Sequence, residues 1–193
     1  VRAVARRARE VVSPGGVINT PMFIEPILVA KTGTYTMRFD PLSIATGGMT
    51  IQYWDVPPDL EATAQTDGTE VQQTIAIPGR DAAVLVTGTA GTHVSIAAEC
   101  PKSIGLKLLT STGAQVGGAT TGTEGIFKAY LGNLTLPTSG TYRVELDLMN
   151  DAAYDHPETI RARVYAWGTD ARATVPIDSA TPVPAPYPGQ RLQ

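Results

Sequence analysis

The residues best suited to chemistry form an oxygen-rich segment between residues 147 and 158. Its candidate metal ligands are Asp147, Asn150, Asp151 and Asp155, with His156 and Glu158 nearby. Calcium takes about six to eight oxygen ligands, so this segment is a candidate calcium site, although its spacing is not that of an EF-hand. The alternative is a solvated loop in which these side chains form Asx turns with their own backbone. No other cofactor is expected.

A catalytic site is not indicated by the remaining residues. Nucleophilic catalysis needs a nucleophile, a base and an orienting group within reach of one another. The two histidines are His93 and His156, and the sequence contains no Gly-x-Ser-x-Gly elbow. The single cysteine, Cys100, excludes a disulfide scaffold and is expected to be a small, partly buried apolar residue. We therefore expect a protein that is not an enzyme.

Aromatic residues offer a second kind of binding surface. Tyr53 and Trp54 are adjacent, and Tyr165 and Trp167 occur in a similar context later in the chain. Exposed planar rings could form a platform for sugars, which makes Trp54 and Trp167 candidate ligand-facing residues and surface glycans a candidate partner. Successive residues of a strand point to opposite faces, so either Tyr53 or Trp54 is expected in a core.

The composition limits the class of protein. The chain is 42% hydrophobic and 17% charged, which is too apolar for a disordered chain. No apolar run reaches the roughly 18 residues that a spanning helix needs, so we expect no membrane insertion. A net charge of -3 disfavours nucleic acid as a partner. The 19 glycines and 15 prolines favour short strands joined by frequent turns.

A repeated motif organises these strands. Gly33-Thr34-Tyr35 recurs in the second half of the chain as Gly140-Thr141-Tyr142. Alternating apolar and polar residues follow both copies, which predicts strands at 34–40 and 141–147. An aromatic residue also precedes each glycine by the same interval, and we expect both aromatics, Phe23 and Tyr130, to face the cores. The other predicted strands are 49–54, 70–77, 82–87, 93–98, 105–110, 114–119 and 159–165.

The two ends of the chain are less regular. Residues 1–12 fit either a helix, from the spacing of their valines, or a strand, from the repeat. The proline-rich residues after 169 resemble the beginning of the preceding repeat. Asp170 corresponds to Asp59, and Pro188-Gly189-Gln190 corresponds to Pro78-Gly79-Arg80, at offsets only slightly larger than the one between the two Gly-Thr-Tyr copies.

These offsets predict three segments. Residues 1–58 would form the C-terminal half of a sandwich repeat, 59–168 a complete repeat, and 169–193 an extended tail resembling the first strand of a further repeat. The predicted fold class is all-β, with antiparallel, jelly-roll-like β-sandwich repeats, one complete and one partial.

The order of these motifs resembles a known class of module. Beside the two Gly-Thr-Tyr copies, it includes Phe23-Ile24-Glu25-Pro26, Phe39-Asp40-Pro41 and Tyr53-Trp54-Asp55-Val56-Pro57. Together they resemble the repeated β-sandwich modules of large secreted bacterial proteins, including actinobacterial proteins with RHS-type repeats. These modules are similar to bacterial pre-peptidase C-terminal domains. The resemblance implies an extracellular or cell-surface spacer or adhesion module without an active site, whose partners are neighbouring repeats.

A different function follows from the phase of the repeats. A half repeat at one end and a single strand at the other would let copies of the chain complete one another by strand exchange. Such head-to-tail pairing does not close on itself and would produce an extracellular filament. A carbohydrate-binding module, based on Trp54 and Trp167, is the third hypothesis.

Overall fold

The fold is seen in a computed structural model, which describes residues 2–5, 9–12, 24–38, 50–120, 127–149, 157–170, 172, 174, 180 and 182–191. The chain divides into two compact units, Val1–Val56 and Pro57–Gln193. Every regular element among the described residues is a strand, which confirms the all-β class. A search of these residues finds no helix with the length and apolarity to cross a membrane.

The first unit contains a three-stranded antiparallel sheet in the order β2-β1-β3. Its strands are β1 (Arg2–Ala5), β2 (Arg9–Val12) and β3 (Tyr35–Arg38). The helix interpretation of residues 1–12 is therefore wrong and the strand interpretation is correct. Pairing of β1 with both neighbours supplies hydrogen bonds that the weak helical spacing of the valines does not outweigh.

The strand predicted at 49–54 is not formed at residues 50–54. Ile51 is 53% exposed and Tyr53 is 74% exposed, whereas Trp54 is half-buried. Alternation produces a strand only where a neighbouring strand supplies hydrogen-bond partners, and Pro57 and Pro58, which follow, lack the backbone donors that a ladder needs.

The second unit contains two sheets. A four-stranded antiparallel sheet has the order β10-β7-β12-β5, and a five-stranded sheet has the order β4-β6-β11-β8-β9. All pairs are antiparallel except β4 with β6, which is parallel. The strands are β4 (Leu60–Thr63), β5 (Val71–Ile75), β6 (Ala82–Gly88), β7 (His93–Cys100), β8 (Ile104–Leu109), β9 (Gln115–Thr120), β10 (Phe127–Thr135), β11 (Gly140–Leu148) and β12 (Glu158–Trp167).

The inner faces of the two sheets form one apolar core. In β11 the buried residues alternate with half-buried ones from Tyr142 to Leu148, as a strand with one covered face requires. In β12 the same period places Ile160, Ala162 and Val164 in the core. Cys100 is buried there more completely than the expected partial burial, at 2% exposure. The predicted antiparallel sandwich is thereby confirmed, whereas the predicted segment boundaries and the repeat organisation stay predictions.

Candidate functional site

The outer face of the four-stranded sheet carries the most elaborate group of side chains in the second unit. The period of two that sends Val94 and Ile96 into the core sends Ser95 to the outer face, and the same applies to Trp167 in β12. One end of this face, which we call the aromatic end, consists of His93, Ser95, Tyr130, Tyr165 and Trp167. The other end, the charged end, consists of Glu70, Glu99, Lys128, Arg161 and Arg163.

Tyr130 belongs to this outer face, so the prediction that it faces a core is wrong. Its neighbours Ala129 and Leu131 are buried at 1% and 7% exposure, and alternation then directs Tyr130 outward, where it is 46% exposed. The corresponding prediction for Phe23 lies outside the described residues.

The aromatic end is covered by the proline-rich tail. The ring of Tyr187 lies almost parallel to the indole of Trp167, with an interplanar angle of 8° and 6.2 Å between ring centroids. Ser95 Oγ donates a hydrogen bond of 2.6 Å to the carbonyl oxygen of Pro188. Ser95 is fully buried and Trp167 is 5% exposed as a result of this arrangement.

Gly189 allows the tail to approach the sheet closely. Its φ of 83° lies in the left-handed region that favours glycine, and a Cβ at this position would overlap Tyr130 Oη. Both facts exclude a larger residue without movement of the backbone or of Tyr130.

Polar contacts secure the tail beside these rings. Gln190 Nε2 donates to the carbonyl oxygen of Thr169 at 3.0 Å, and the backbone N–H of Arg191 donates to Asp170 Oδ1 at 3.4 Å. With the Asn133 amide oriented so that its oxygen faces Arg191, that oxygen accepts from Nη2 at 2.8 Å and from Nε. The tail is thus held by stacking, by a buried hydroxyl and by hydrogen bonds of Gln190 and Arg191 at the end of the turn.

The tail forms a turn that also occurs earlier in the unit. The backbone N–H of Gln190 donates to the Tyr187 carbonyl at 3.1 Å, and that of Arg80 donates to the Ile77 carbonyl at 3.1 Å. In both turns the second residue is proline and the third is a glycine with positive φ, which is 79° at Gly79. This combination of residues and φ is typical of a type II turn.

The residue that ends each of these turns also makes the same kind of contact. Arg80 Nε donates to the carbonyl oxygen of Pro58 at 2.8 Å, whereas Gln190 Nε2 donates to that of Thr169. The acceptors lie 22 and 21 residues earlier in the chain. The residues that end the two turns therefore bond back over nearly the same sequence separation.

A second local structure occurs in both units. Tyr35 Oη donates to the carbonyl oxygen of Lys31 at 2.6 Å, and Tyr142 Oη donates to that of Thr138 at 2.5 Å. In each case the acceptor lies four residues before the tyrosine. The environments differ, because the Tyr142 side chain is 1% exposed and that of Tyr35 is 43% exposed.

Trp167 is positioned by a second ring and lacks a polar partner. His93 stacks on the indole with ring centroids 5.9 Å apart and 24° between the planes, and His93 Nδ1 shares a 3.2 Å hydrogen bond with Thr135 Oγ1. Trp167 Nε1 is buried without a hydrogen-bond partner among the described residues. Tyr187 occupies the position above the indole that a sugar ring would need, and a ligand role for Trp54 or Trp167 stays a prediction.

The charged end is a network of ion pairs between its glutamate, lysine and arginine side chains. Glu70 accepts a 2.5 Å hydrogen bond from Gln72 Nε2, pairs with Arg163 and lies 3.6 Å from Arg161 Nε. The bond from Gln72, followed by the charges of Arg163 and Arg161, holds the pKa of Glu70 below its ordinary value of 4.5. Exposed pairs of this type keep a sheet face soluble and contribute little stability each.

The described residues add no group of ligands to the predicted calcium site. Asp147 lies at the end of β11, opposite Gly105 of β8. Asn150, Asp151 and Asp155 lie outside the described residues. Within the part of the chain that the structure describes, no three His, Cys, Asp or Glu side chains form a group that could hold a metal ion. Calcium binding therefore stays a prediction.

A cleft of about 570 Å³ lies next to the aromatic end, lined by His93, Gly168, Thr169, Asp170 and Arg172. Among the described contacts, His93 Nδ1 shares a 3.2 Å hydrogen bond with Thr135 Oγ1 and the His93 ring stacks on Trp167.

Neither protein-family models nor curated proteins match this chain. Among solved structures, it is similar to the pre-peptidase C-terminal domain of a collagenase from Bacillus anthracis, with a TM-score of 0.38 and 9% identity over 56% of this chain and 96% of that one. It is also similar to PliG from Aeromonas hydrophila, a periplasmic inhibitor of g-type lysozyme, with a TM-score of 0.34 and 14% identity over 56% of this chain and 99% of that one.

Proposed function

We propose that this chain is a non-catalytic structural module of a secreted or cell-surface bacterial protein, serving as a spacer or adhesion stalk built from successive β-sandwich units. The observation that carries this proposal is the recurrence of local structure. The tyrosine-to-carbonyl bond recurs at Tyr35 and Tyr142, and the Pro-Gly turn recurs at Gly79 and Gly189. Units that share hydrogen bonds of this kind at nearly constant spacing are typical of arrays that repeat one architecture.

The chemistry of the second unit supports a mechanical role. Its buried side chains are almost entirely apolar, and the outer face of its four-stranded sheet carries ion pairs and stacked rings. Antiparallel ladders such as those of β11 with β6 and β8 connect distant parts of the chain by many hydrogen bonds. A spacer needs this resistance to unfolding and needs no reactive group.

The single thiol also suits an extracellular location. Cys100 is 2% exposed within the core, so oxidants and other thiols have little access to it. An exposed free cysteine would be oxidised or cross-linked in such a compartment. Location outside the cell is part of the proposal.

The oligomeric state of this chain distinguishes the spacer hypothesis from the filament hypothesis. Light scattering coupled to size exclusion, followed by electron microscopy, should show a monomer over a wide range of concentration if the chain is a spacer. The contacts of Tyr187 and Pro188 with their own unit support the monomer, because these tail residues are already partnered. Fibres that lengthen with concentration would overturn the spacer proposal and favour strand exchange.

Sugar binding has its own test. A glycan array probed with the full chain should give no signal that is lost in Trp54→Ala or Trp167→Ala variants. A reproducible glycan signal that disappears in either variant would replace the spacer proposal with a carbohydrate-binding function. A melting temperature that rises on addition of millimolar calcium would add a metal site to the module.

A further inference from the structure

We propose that the aromatic end of the four-stranded sheet is a receptor for a Tyr-Pro-Gly-Gln turn, and that residues 187–190 are the opening turn of a following unit. The joint between two successive units would then be a fixed contact and not a flexible linker. This inference rests on the proposed module function and names the partner of the sheet face, a further unit of the same type.

The first argument is that the tail repeats the opening of the second unit. Its turn has the backbone bond, the proline and the positive-φ glycine of the Ile77–Arg80 turn. Its last residue, Gln190, bonds back to Thr169 as Arg80 bonds back to Pro58. The sequence between these points also recurs, since Ala173-Thr174 follows Asp170 at the same interval at which Ala62-Thr63 follows Asp59.

The second argument is that the tail turn differs from the Ile77–Arg80 turn at the residue that contacts the sheet. The first position of the turn is Ile77 within the second unit and Tyr187 in the tail. Tyr187 makes the stacking contact with Trp167, which an isoleucine cannot reproduce. The turns also differ at Arg80 and Gln190, but both of these bond back to a carbonyl, so Tyr187 is the changed residue that recognises the receptor.

The third argument is that the receptor is built for this occupant. Ser95 is a hydroxyl in the middle of β7, fully buried, and its hydrogen bond goes to Pro188. The turn that covers this hydroxyl also supplies the carbonyl with which it bonds, so the site favours a ligand with a carbonyl at this place. Tyr130 leaves room for a residue without a Cβ, which Gly189 is. The site thus requires a ring that stacks on Trp167, a carbonyl for Ser95 and a glycine beside Tyr130. The Tyr-Pro-Gly sequence of the turn supplies all three.

The first experiment measures whether Tyr187 covers Trp167 in solution. The chain has two tryptophans, so a Trp54→Phe background leaves Trp167 as the only indole fluorophore. In this background Tyr187→Ala should raise the acrylamide quenching constant of Trp167 severalfold. Tyr53→Ala is the matched control, because Tyr53 is 74% exposed and its removal should leave quenching unchanged. Circular dichroism of each variant confirms that the sandwich remains folded.

The second experiment tests recognition of the turn as a separate ligand. A synthetic peptide of residues 182–191 is added to the Trp54→Phe, Tyr187→Ala chain. Because the tethered turn has an effective concentration of about millimolar, the peptide should restore protection of Trp167 at about that concentration. The same peptide with alanine in place of its tyrosine should not. Ser95→Ala in the chain should weaken the effect of the unmodified peptide.

Three results would overturn the inference: quenching that Tyr187→Ala leaves unchanged, a peptide that gives no protection at several millimolar, or equal protection by the alanine peptide. These results would leave the spacer proposal intact, because a monomeric module with a free tail is still a spacer. Conversely, fibres in the size-exclusion experiment would contradict the spacer proposal while the quenching result could stand.

Discussion

Replacement of Tyr142 by phenylalanine tests the tyrosine-to-carbonyl bond that occurs in both units. The ring of Tyr142 would stay in the core, but its hydroxyl would no longer donate to the Thr138 carbonyl at 2.5 Å or accept from the Thr138 N–H at 3.1 Å. A third contact, with Thr138 Oγ1 at 3.2 Å, belongs to an exposed side chain that can bind water instead. A neutral hydrogen bond contributes about 1 kcal/mol net, so the two backbone bonds correspond to about 2 kcal/mol. The exposed Thr138 backbone can bind water after the change, which prevents a larger loss.

The assay is equilibrium unfolding in urea, followed by Trp167 fluorescence in the Trp54→Phe background. For a unit of this size, about 2 kcal/mol corresponds to a decrease in melting temperature of about 8 °C. Tyr35→Phe is the matched comparison, followed by Trp54 fluorescence in a Trp167→Phe background because Tyr35 and Trp54 belong to the first unit. It removes a single bond at a 43% exposed side chain and should cost about 0.5 kcal/mol, in the first unit. A Tyr142→Phe variant that unfolds within about 0.3 kcal/mol of the parent would refute the reasoning.

Three further changes have defined outcomes. Gln73→Leu should raise the free energy of unfolding by about 1 kcal/mol, because Gln73 Oε1 is buried without a hydrogen-bond partner among the described residues; a lower urea midpoint would contradict this. The lowered pKa of Glu70 stabilises the folded state above the ordinary value of 4.5, and this contribution disappears as the pH falls through the lower, folded-state pKa. The difference in urea midpoint between the parent and Glu70→Gln should therefore be larger at pH about 7 than at pH about 3, and a difference independent of pH would exclude the mechanism. Gly189→Ala should expose Trp167 to acrylamide as Tyr187→Ala does, because both φ and Tyr130 oppose a Cβ there, whereas Gly91→Ala, at a similar φ in open space, should not.

Much of the fold could be predicted because one covered face imposes a period of two. The alternation in 141–147 corresponds to β11, and the turn at Ser111 separates two predicted strands that pair as β8 and β9. Strand β4 cannot be predicted from its pattern, because its four residues carry only two half-buried positions. Its parallel pairing with β6 also needs no adjacent turn that would indicate a hairpin. Pairing partners, which decide such cases, are not encoded locally.

The candidate site was predicted only in part. Trp167 was selected as a ligand-facing ring, and the structure places Tyr187 of the same chain against it. The equivalence of Pro188-Gly189-Gln190 with Pro78-Gly79-Arg80 was visible in the sequence and corresponds to two turns with the same bond. The docking of the tail was not visible, because prolines remove backbone donors and the contact depends on residues far apart in the chain. Ser95, a hydroxyl among apolar strand residues, was the available signal.

The account depends most directly on the contact between the tail turn and the sheet. Nuclear Overhauser spectroscopy of the isotope-labelled full chain can measure it, through cross-peaks between the ring protons of Tyr187 and the indole protons of Trp167. With the two rings parallel and their centroids 6.2 Å apart, the account predicts such cross-peaks, together with backbone relaxation of residues 187–190 matching that of β12. Absence of the cross-peaks, with relaxation typical of a free coil at these residues, would contradict it.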